Sequence, residues 1–200
     1  VVERLAGARL RLNIGTTGHV AVTETRSTYS HSLRLEEGSL FEGENLALHS
    51  VDFDLSITPA RLFGERASSG GVATAVATGV LFAPGSSLSI LAAYRSYPER
   101  FFSPYSNGFG ETAGTRGEEG TYLALKTRPA AGFVVRAYFD RFRIEKGGAT
   151  FPLRGSDALI QLEIRRDRPL SFSVRYRRKE LEGMAVMTDY AGLTVSAVGT

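Results

Sequence analysis

The sequence lacks cysteine and tryptophan, and no apolar run approaches the length of about 18 residues that a membrane-spanning helix needs. Without cysteine, the chain can form no disulfide framework, thiolate metal site or cysteine nucleophile. Its 200 residues carry a formal net charge of only +3, which is too little for a strongly basic nucleic-acid-binding domain. Composition alone therefore resembles that of an ordinary soluble domain.

Helical periodicity is scarce, and alternation of apolar and polar residues with period 2 runs along most of the chain. The clearest case is the segment 171–177, where Phe172, Val174 and Tyr176 alternate with serine and arginine. Because successive side chains of a strand point to opposite faces, each such segment predicts a strand with one apolar and one polar face. The other alternating segments are 10–14, 20–23, 51–57, 72–82, 87–95, 121–128, 133–140 and 158–165. Ten or eleven strands are expected, and because an even total is usual for bacterial barrels, a further strand either lies within 184–197 or is missing from this piece.

The links between these segments alternate between short and long. The shorter ones are 15–18, 58–60, 84–86, 129–132 and 167–169. On the other side lie 26–43, 68–70, 96–117 and 144–155. In an up-and-down order, this places short turns at one end and longer loops at the other, as in an outer-membrane barrel. The longer alternating segments, up to the 11 residues of 72–82, also suit tilted membrane strands of about 10 residues.

These patterns predict an all-β fold, an antiparallel up-and-down transmembrane β-barrel or a large part of one, with short periplasmic turns and long outer loops. Interfacial girdles are expected from the aromatic residues Phe82, Tyr94, Tyr97, Phe139, Phe142 and Tyr176. Leu46 and Leu48 have the opposite parity to Val51 and Phe53, which predicts a bulge near 49–50. The alternative is a soluble antiparallel barrel or sandwich with the apolar face in its core, serving in binding or adhesion.

Seven short motifs occur in an order that resembles the C-terminal barrel of a group of poorly characterised bacterial outer-membrane proteins. They are Gly43-Glu44-Asn45-Leu46, Leu62-Phe63-Gly64-Glu65, Tyr94-Arg95-Ser96-Tyr97, Tyr105-Ser106-Asn107-Gly108-Phe109-Gly110-Glu111, Glu118-Glu119-Gly120-Thr121-Tyr122-Leu123, Ala137-Tyr138-Phe139-Asp140-Arg141-Phe142-Arg143 and Val174-Arg175-Tyr176-Arg177-Arg178-Lys179-Glu180. The resemblance covers about 43–182. In that group, the N-terminal part often carries helix-hairpin-helix repeats of the competence DNA-binding type. It implies a bacterial outer-membrane location and no particular activity.

Three departures from that group bear on domain organisation. No helix-hairpin-helix repeat is present, Ile144-Glu145 replaces the proline and aromatic residue that usually follow Phe-Arg-Phe, and the C-terminal residues 198–200 lack a terminal aromatic. The chain also begins without methionine. We therefore expect 1–200 to be a single β-barrel domain that is a fragment, or the ordered part, of a longer protein.

No pattern typical of catalysis is present. His19, His31 and His49 are isolated, and no H-E-x-x-H, G-x-S-x-G or S-x-x-K pattern occurs. Asp52 and Asp54 share one face, where they suit either a hard cation or, as favoured here, pairing with arginine on neighbouring strands. The sequence thus predicts a non-enzymatic protein without a metal or another cofactor.

Basic and acidic residues fall on the polar face of the predicted strands, which lines the lumen if the barrel interpretation holds. The basic ones are Arg11, Arg95, Lys126, Arg136, Arg165, Arg175 and Arg177. The acidic ones are Asp52, Asp54, Asp140 and Glu163. Two interpretations remain open: ladders of ion pairs that fill the interior, which we favour, or a basic lumen that attracts anionic solutes or single-stranded nucleic acid.

The longest loop, 96–117, is rich in aromatic residues. They are Tyr97, Phe101, Phe102, Tyr105 and Phe109. A loop of this composition is expected either to fold into the barrel as a plug or to contact a partner or ligand.

Together these features predict a channel, or a membrane-anchor subunit of an envelope assembly. The expected partners are outer-membrane lipid and other envelope proteins. Anionic solutes or nucleic acid are the expected cargo if a passage is open.

Overall fold

The structure, a computed structural model, describes residues 2–34, 42–105, 108–111, 116–145, 152–165, 170–182 and 186–197. They form eleven strands: β1 (Glu3–Ile14), β2 (Gly18–Arg34), β3 (Glu42–Ile57), β4 (Ala60–Ser69), β5 (Ala73–Gly85), β6 (Leu88–Tyr97), β7 (Glu118–Thr127), β8 (Phe133–Ile144), β9 (Leu153–Arg165), β10 (Leu170–Leu181) and β11 (Val186–Ala197). The described residues contain no helix long and apolar enough to cross a membrane.

All eleven strands belong to one antiparallel sheet whose spatial order is the sequence order. The predicted all-β, up-and-down barrel wall is therefore confirmed, and β11 falls in the segment 184–197. The turns 15–17, 58–59 and 86–87 connect strands at one end, which we call the short-turn end. The links 98–117 and 145–152 leave the opposite end, the long-loop end. A single sheet also excludes the sandwich alternative, which needs two.

The predicted link 26–43 is too long, because β2 continues to Arg34 and β3 begins at Glu42. Backbone pairing between these strands continues past the last outward-facing apolar residues, since the ladder needs no apolar side chain. The bulge predicted near 49–50 is wrong: pairing of β2 with β3 is continuous from Gly18 to Thr28, and the irregularity lies between Thr28 and Leu33. Leu46 consequently points inward and is buried.

One face of the sheet is apolar and exposed. On β10, Phe172, Val174 and Tyr176 expose 41%, 53% and 42% of their surface, as expected of side chains that meet lipid. Neighbouring strands continue this surface with Leu10, Leu12, Ile14, Val22, Val51, Ile57, Leu62, Phe82, Ile90, Leu123, Leu125, Phe133, Phe139, Ile160, Leu193 and Val195. We call it the outer face, and the opposite surface the inner face.

The predicted aromatic girdle is correct in part. Phe82, Phe139 and Tyr176 are exposed on the outer face. Tyr97 and Phe142 are instead buried on the inner face, because they share the parity of Arg95 and Asp140. Distance from a strand end does not fix the side to which a residue points, whereas its parity does.

β1 and β11 form the two edges of the sheet, and within the described residues they do not pair with each other. Every residue of β1 is exposed. The described wall is therefore open along one line, where the backbone groups of two strands lack sheet partners.

Candidate functional site

The inner face gathers the charged side chains that alternate with the outer apolar residues. Strand register sets most of them in three lateral rows. Arg11, Asp52 and Arg95 lie in one row, and Asp54 and Asp140 in the next. Lys126, Arg136 and Arg175 lie in a row nearer the short-turn end. Arg177 and Glu163 occupy the same face, and the side chain of Arg165 lies outside the described residues.

Arg95 is the centre of a buried ionic cluster at the long-loop end. Its guanidinium donates from Nε to Glu118 at 2.5 Å and makes two bonds of 2.9 Å to the Asp140 carboxylate. The side chains of Arg95 and Glu118 are fully buried, and that of Asp140 is nearly so. This paired, bidentate geometry offsets the desolvation of three buried charges.

A glycine makes room for this arginine. Gly120 is the cross-strand partner of Arg95, and a Cβ placed there would lie 2.6 Å from Cζ of the guanidinium. Above the guanidinium lies the ring of Phe109, whose centroid is 5.2 Å from Cζ. Arg95 is thus held between the bare backbone of β7 and an aromatic ring of the long loop, an arrangement that favours a cation.

The described parts of the long loop, 98–105, 108–111 and 116–117, lie over the inner face. Phe101 is buried against Tyr97 and Ala75, with Ala67, Ala73 and Ala77 around it. The small side chains that β4 and β5 turn inward therefore form a floor that accommodates a phenyl ring. A recess of about 390 Å³ remains between this part of the loop and strands β2 to β5. Phe102 is half-buried.

Tyr105 joins the loop to the first two strands by hydrogen bonds. Its hydroxyl donates to the carboxylate of Glu3 on β1 and lies 3.2 Å from the hydroxyl of Ser27 on β2. The hydrogen bond to Glu3 raises the pKa of Tyr105, because a neutral hydroxyl is needed to donate it. The loop leaves β6, so this contact extends it over the intervening strands β5, β4 and β3.

The second half of the loop is fixed to the other side of the wall. The backbone N–H of Glu111 donates to both carboxylate oxygens of Glu118 at 3.0 Å, and the carboxylate of Glu111 pairs with Lys179 on β10. The Tyr97 hydroxyl donates to the carbonyl of Phe109 at 3.2 Å. The loop therefore contacts the inner face from β1 to β10.

The two aspartates of β3 lie in ion pairs. Asp52 accepts from Arg9 at 2.8 Å and lies 3.2 Å from Nε2 of His19, while Asp54 binds Arg61 through two nitrogens. Both arginines lie outside the predicted set of lumen residues. Within the described residues, no group of three or more potential ligands could hold a metal ion.

Two predicted basic residues lie beside a recess without an ion pair among the described residues. Lys126 and Arg175 line a space of about 390 Å³ with Gln161 and Arg136, and Arg136 is already paired with Glu163 at 2.6 Å. Like charges in one row repel each other, so this part of the inner face has a positive local potential.

Sequence reasoning missed several members of the clusters. The predicted segment 121–128 begins too late to include Glu118, although Glu118 shares the parity of Lys126 and begins β7. Asp157, the partner of Arg177, lies on β9 one residue before the predicted strand segment 158–165 begins. Extending the alternating pattern beyond the terminal apolar residue of each segment would have identified both residues as inward-facing.

No family model and no curated protein matches the sequence. Among solved structures, the chain is similar to OccK5 (OpdH) of Pseudomonas aeruginosa, an outer-membrane porin barrel, with a TM-score of 0.57 and 12% identity. The match covers 96% of this chain and 56% of that one, so this chain spans little more than half of its length. This likeness shows the fold. The resemblance to barrels with helix-hairpin-helix repeats stays a prediction.

Proposed function

We propose that this chain forms wall strands of a bacterial outer-membrane barrel that acts as a non-enzymatic channel, narrowed by the inward-folded loop 98–117. The observation that carries the proposal is the division of the sheet into an exposed apolar outer face and a polar inner face with buried ion pairs. Such a division suits a wall between lipid and water. The porin-like fold supports the same location and the same passive role.

The loop supports a narrow passage. Its contacts to Glu3 on β1 and Lys179 on β10 place it across the inside of the wall. Recesses of about 390 and 480 Å³ remain on its two sides. Small hydrated solutes would therefore pass beside the loop and between charged side chains.

The positive row sets the proposed preference for anionic solutes. Most inner-face charges neutralise one another in pairs such as Arg61 with Asp54 and Arg177 with Asp157. Lys126 and Arg175 retain exposed charges near the short-turn end. A cation row in a confined aqueous space raises the local concentration of anions. Single-stranded nucleic acid is a larger anion of the same kind, and the proposal allows its passage only where the loop is released from the inner face.

Conductance across a planar lipid bilayer tests the channel. The full chain is expected to give discrete conductance steps and, in a salt gradient, a reversal potential of the sign that anion selectivity produces. Monodisperse behaviour without detergent, together with failure to insert, would contradict the membrane role.

A second candidate is a closed membrane anchor of an envelope assembly. The span of the loop over the inner face and the dense ion pairing favour it. Stable insertion with no conductance, before and after loop-releasing substitutions, would establish the anchor in place of the channel.

We also propose that further strands continue the wall beyond β1 and β11. Both edges lack a sheet partner among the described residues, and the outer face of β1 is as apolar as that of the central strands. Unpaired backbone groups in a bilayer are strongly unfavourable, so these edges require partners there.

A further inference from the structure

The outer face changes from apolar to basic near the long-loop end of β8 and β9, while the outward series of β7 ends there on Thr121 and Glu119. On β8, the outward series runs from Phe139 to Arg141 and Arg143. On β9, it runs from Ala158 through Ser156 to Arg154. This boundary marks the level where the hydrocarbon of a bilayer meets its headgroups.

Two of these arginines oppose each other directly. Arg143 is the register partner of Arg154, so their Cβ atoms are only about 5 Å apart. Arg141 follows on the same face of β8, about 7 Å from Arg143 along the strand. Like charges in such positions destabilise a sheet unless an anion or carboxylate offsets them.

The protein offsets these charges only in part. Arg143 pairs with Glu119 at 3.2 Å and with Glu145 at 3.0 Å. Arg141 and Arg154 have no ion pair among the described residues, and both are exposed. A recess of about 310 Å³ is lined by the three arginines, with Tyr94, Thr121 and the carboxylate of Glu119 on its margin. Guanidinium groups match the geometry of phosphate oxygens and bind them bidentately.

We propose that Arg141, Arg143 and Arg154 form a binding site for an anionic lipid that carries two phosphate groups, in the leaflet at the long-loop end. One phosphate lies between the opposed Arg143 and Arg154, and the other meets Arg141. The acyl chains then lie along the apolar surface that Phe139 and Leu123 expose just below. The inference rests on the proposed membrane insertion of the chain.

Lipid retention measured by native mass spectrometry tests this site. The full chain is reconstituted into phosphatidylcholine nanodiscs that contain bisphosphorylated lipid A, and in a parallel set phosphatidylglycerol. The wild-type chain is expected to retain lipid A in preference to phosphatidylglycerol. The triple variant R141Q/R143Q/R154Q is expected to lose affinity on the order of 100-fold, from three charges at the membrane surface.

Arg66→Gln is the matched control. Arg66 lies in the same lateral row of the outer face, but its register partners are Val51 and Val76, so it belongs to no arginine cluster. Its substitution is expected to leave lipid A retention unchanged. The single variant R154Q leaves Arg143 without its opposed arginine and is expected to lose lipid A affinity to an intermediate extent. It keeps the test decisive if the triple variant misfolds.

Three outcomes would overturn the site. Equal retention of lipid A by wild type and triple variant, in discs where both insert and conduct, would remove the lipid site and leave the channel standing. Full displacement of lipid A by millimolar pyrophosphate would assign the cluster to free phosphate. Failure of the wild-type chain to insert would contradict the channel and the lipid site together.

Discussion

Arg95 and Glu118 form a buried ion pair across the base of the long loop that separates them in sequence. Arg95 lies near the end of β6 and Glu118 begins β7, and their side chains meet at 2.5 Å with no exposed surface. Glu118 also accepts the backbone N–H of Glu111. One carboxylate thus connects the wall, the arginine and the loop.

Replacement of Glu118 by glutamine should destabilise both the wall and the loop. The change leaves the buried Arg95 with Asp140 alone, and we expect a loss of about 3–5 kcal/mol in the free energy of unfolding. The measurement is denaturant unfolding of the folded chain in detergent. Glu145→Gln, which alters an exposed partner of Arg143, is the control and should change stability little. Equal effects of the two substitutions would contradict the role given to Glu118.

Substitution of Gly120 by alanine should displace Arg95. Its Cβ would lie 2.6 to 2.9 Å from three guanidinium atoms that are fully buried, and overpacking of this kind costs about 1–3 kcal/mol. Unfolding in denaturant again provides the readout. Gly85→Ala is the matched control on another strand, because no atom lies within 4 Å of its added Cβ. A Gly120→Ala chain as stable as the Gly85→Ala chain would contradict the close packing.

Release of the loop should widen the passage. Phe101→Ala removes the ring that packs on Ala75 and Tyr97, and it is expected to raise single-channel conductance while the sheet remains folded. Phe133→Ala, on the outer face, is the control and should leave conductance unchanged. If Phe101→Ala conducts no better than wild type, the loop does not narrow the passage.

Alkaline pH should weaken the attachment of the long loop to β1. The pKa of Tyr105 is raised in the folded loop by its hydrogen bond to Glu3, so the stabilisation is complete below the ordinary tyrosine value of about 10. It is lost as the pH rises through the raised value, because the ionised hydroxyl no longer donates to a carboxylate. Conductance should therefore increase above about pH 10. Tyr105→Phe should lack this step, and its persistence in that variant would assign it to another group.

Charge reversal in the positive row should shift ion selectivity. Lys126→Glu and Arg175→Glu place carboxylates beside the recess shared with Arg136, and each should lower the anion-to-cation permeability ratio on the order of twofold. Reversal potentials in a salt gradient give this ratio. Arg66→Glu, on the outer face, should leave it unchanged. A ratio insensitive to both inner substitutions would contradict an anion-attracting lumen.

Period-2 alternation sufficed to predict the sheet, because a wall between lipid and water imposes one polarity on each face of every strand. It placed Phe172, Val174 and Tyr176 outward and Arg177 inward, as in the structure. It was wrong about the bulge near 49–50 because it assumed that apolar residues always face outward. Leu48 instead faces inward and lines the recess beneath Phe101.

The contacts of the candidate site depend on register and on the path of the loop, which alternation does not contain. Arg95 could be assigned to the inner face, but its pairing with Glu118 and Asp140 follows from the alignment of β6, β7 and β8. The contact of Tyr105 with Glu3 joins residues separated by 102 positions. The richness of this loop in aromatic residues indicated packing but not the surface that it covers.

The two-sided wall can be tested most directly by spin labels along β10. The chain has no cysteine, so single cysteines at positions 172 to 177 can each carry one label without other changes. In lipid bilayers, labels at Phe172, Val174 and Tyr176 should be relaxed mainly by oxygen, which concentrates in lipid. Labels at Ser173, Arg175 and Arg177 should be relaxed mainly by a water-soluble nickel chelate. Accessibility without this period of two, or with the opposite phase, would contradict a strand that separates lipid from an aqueous lumen.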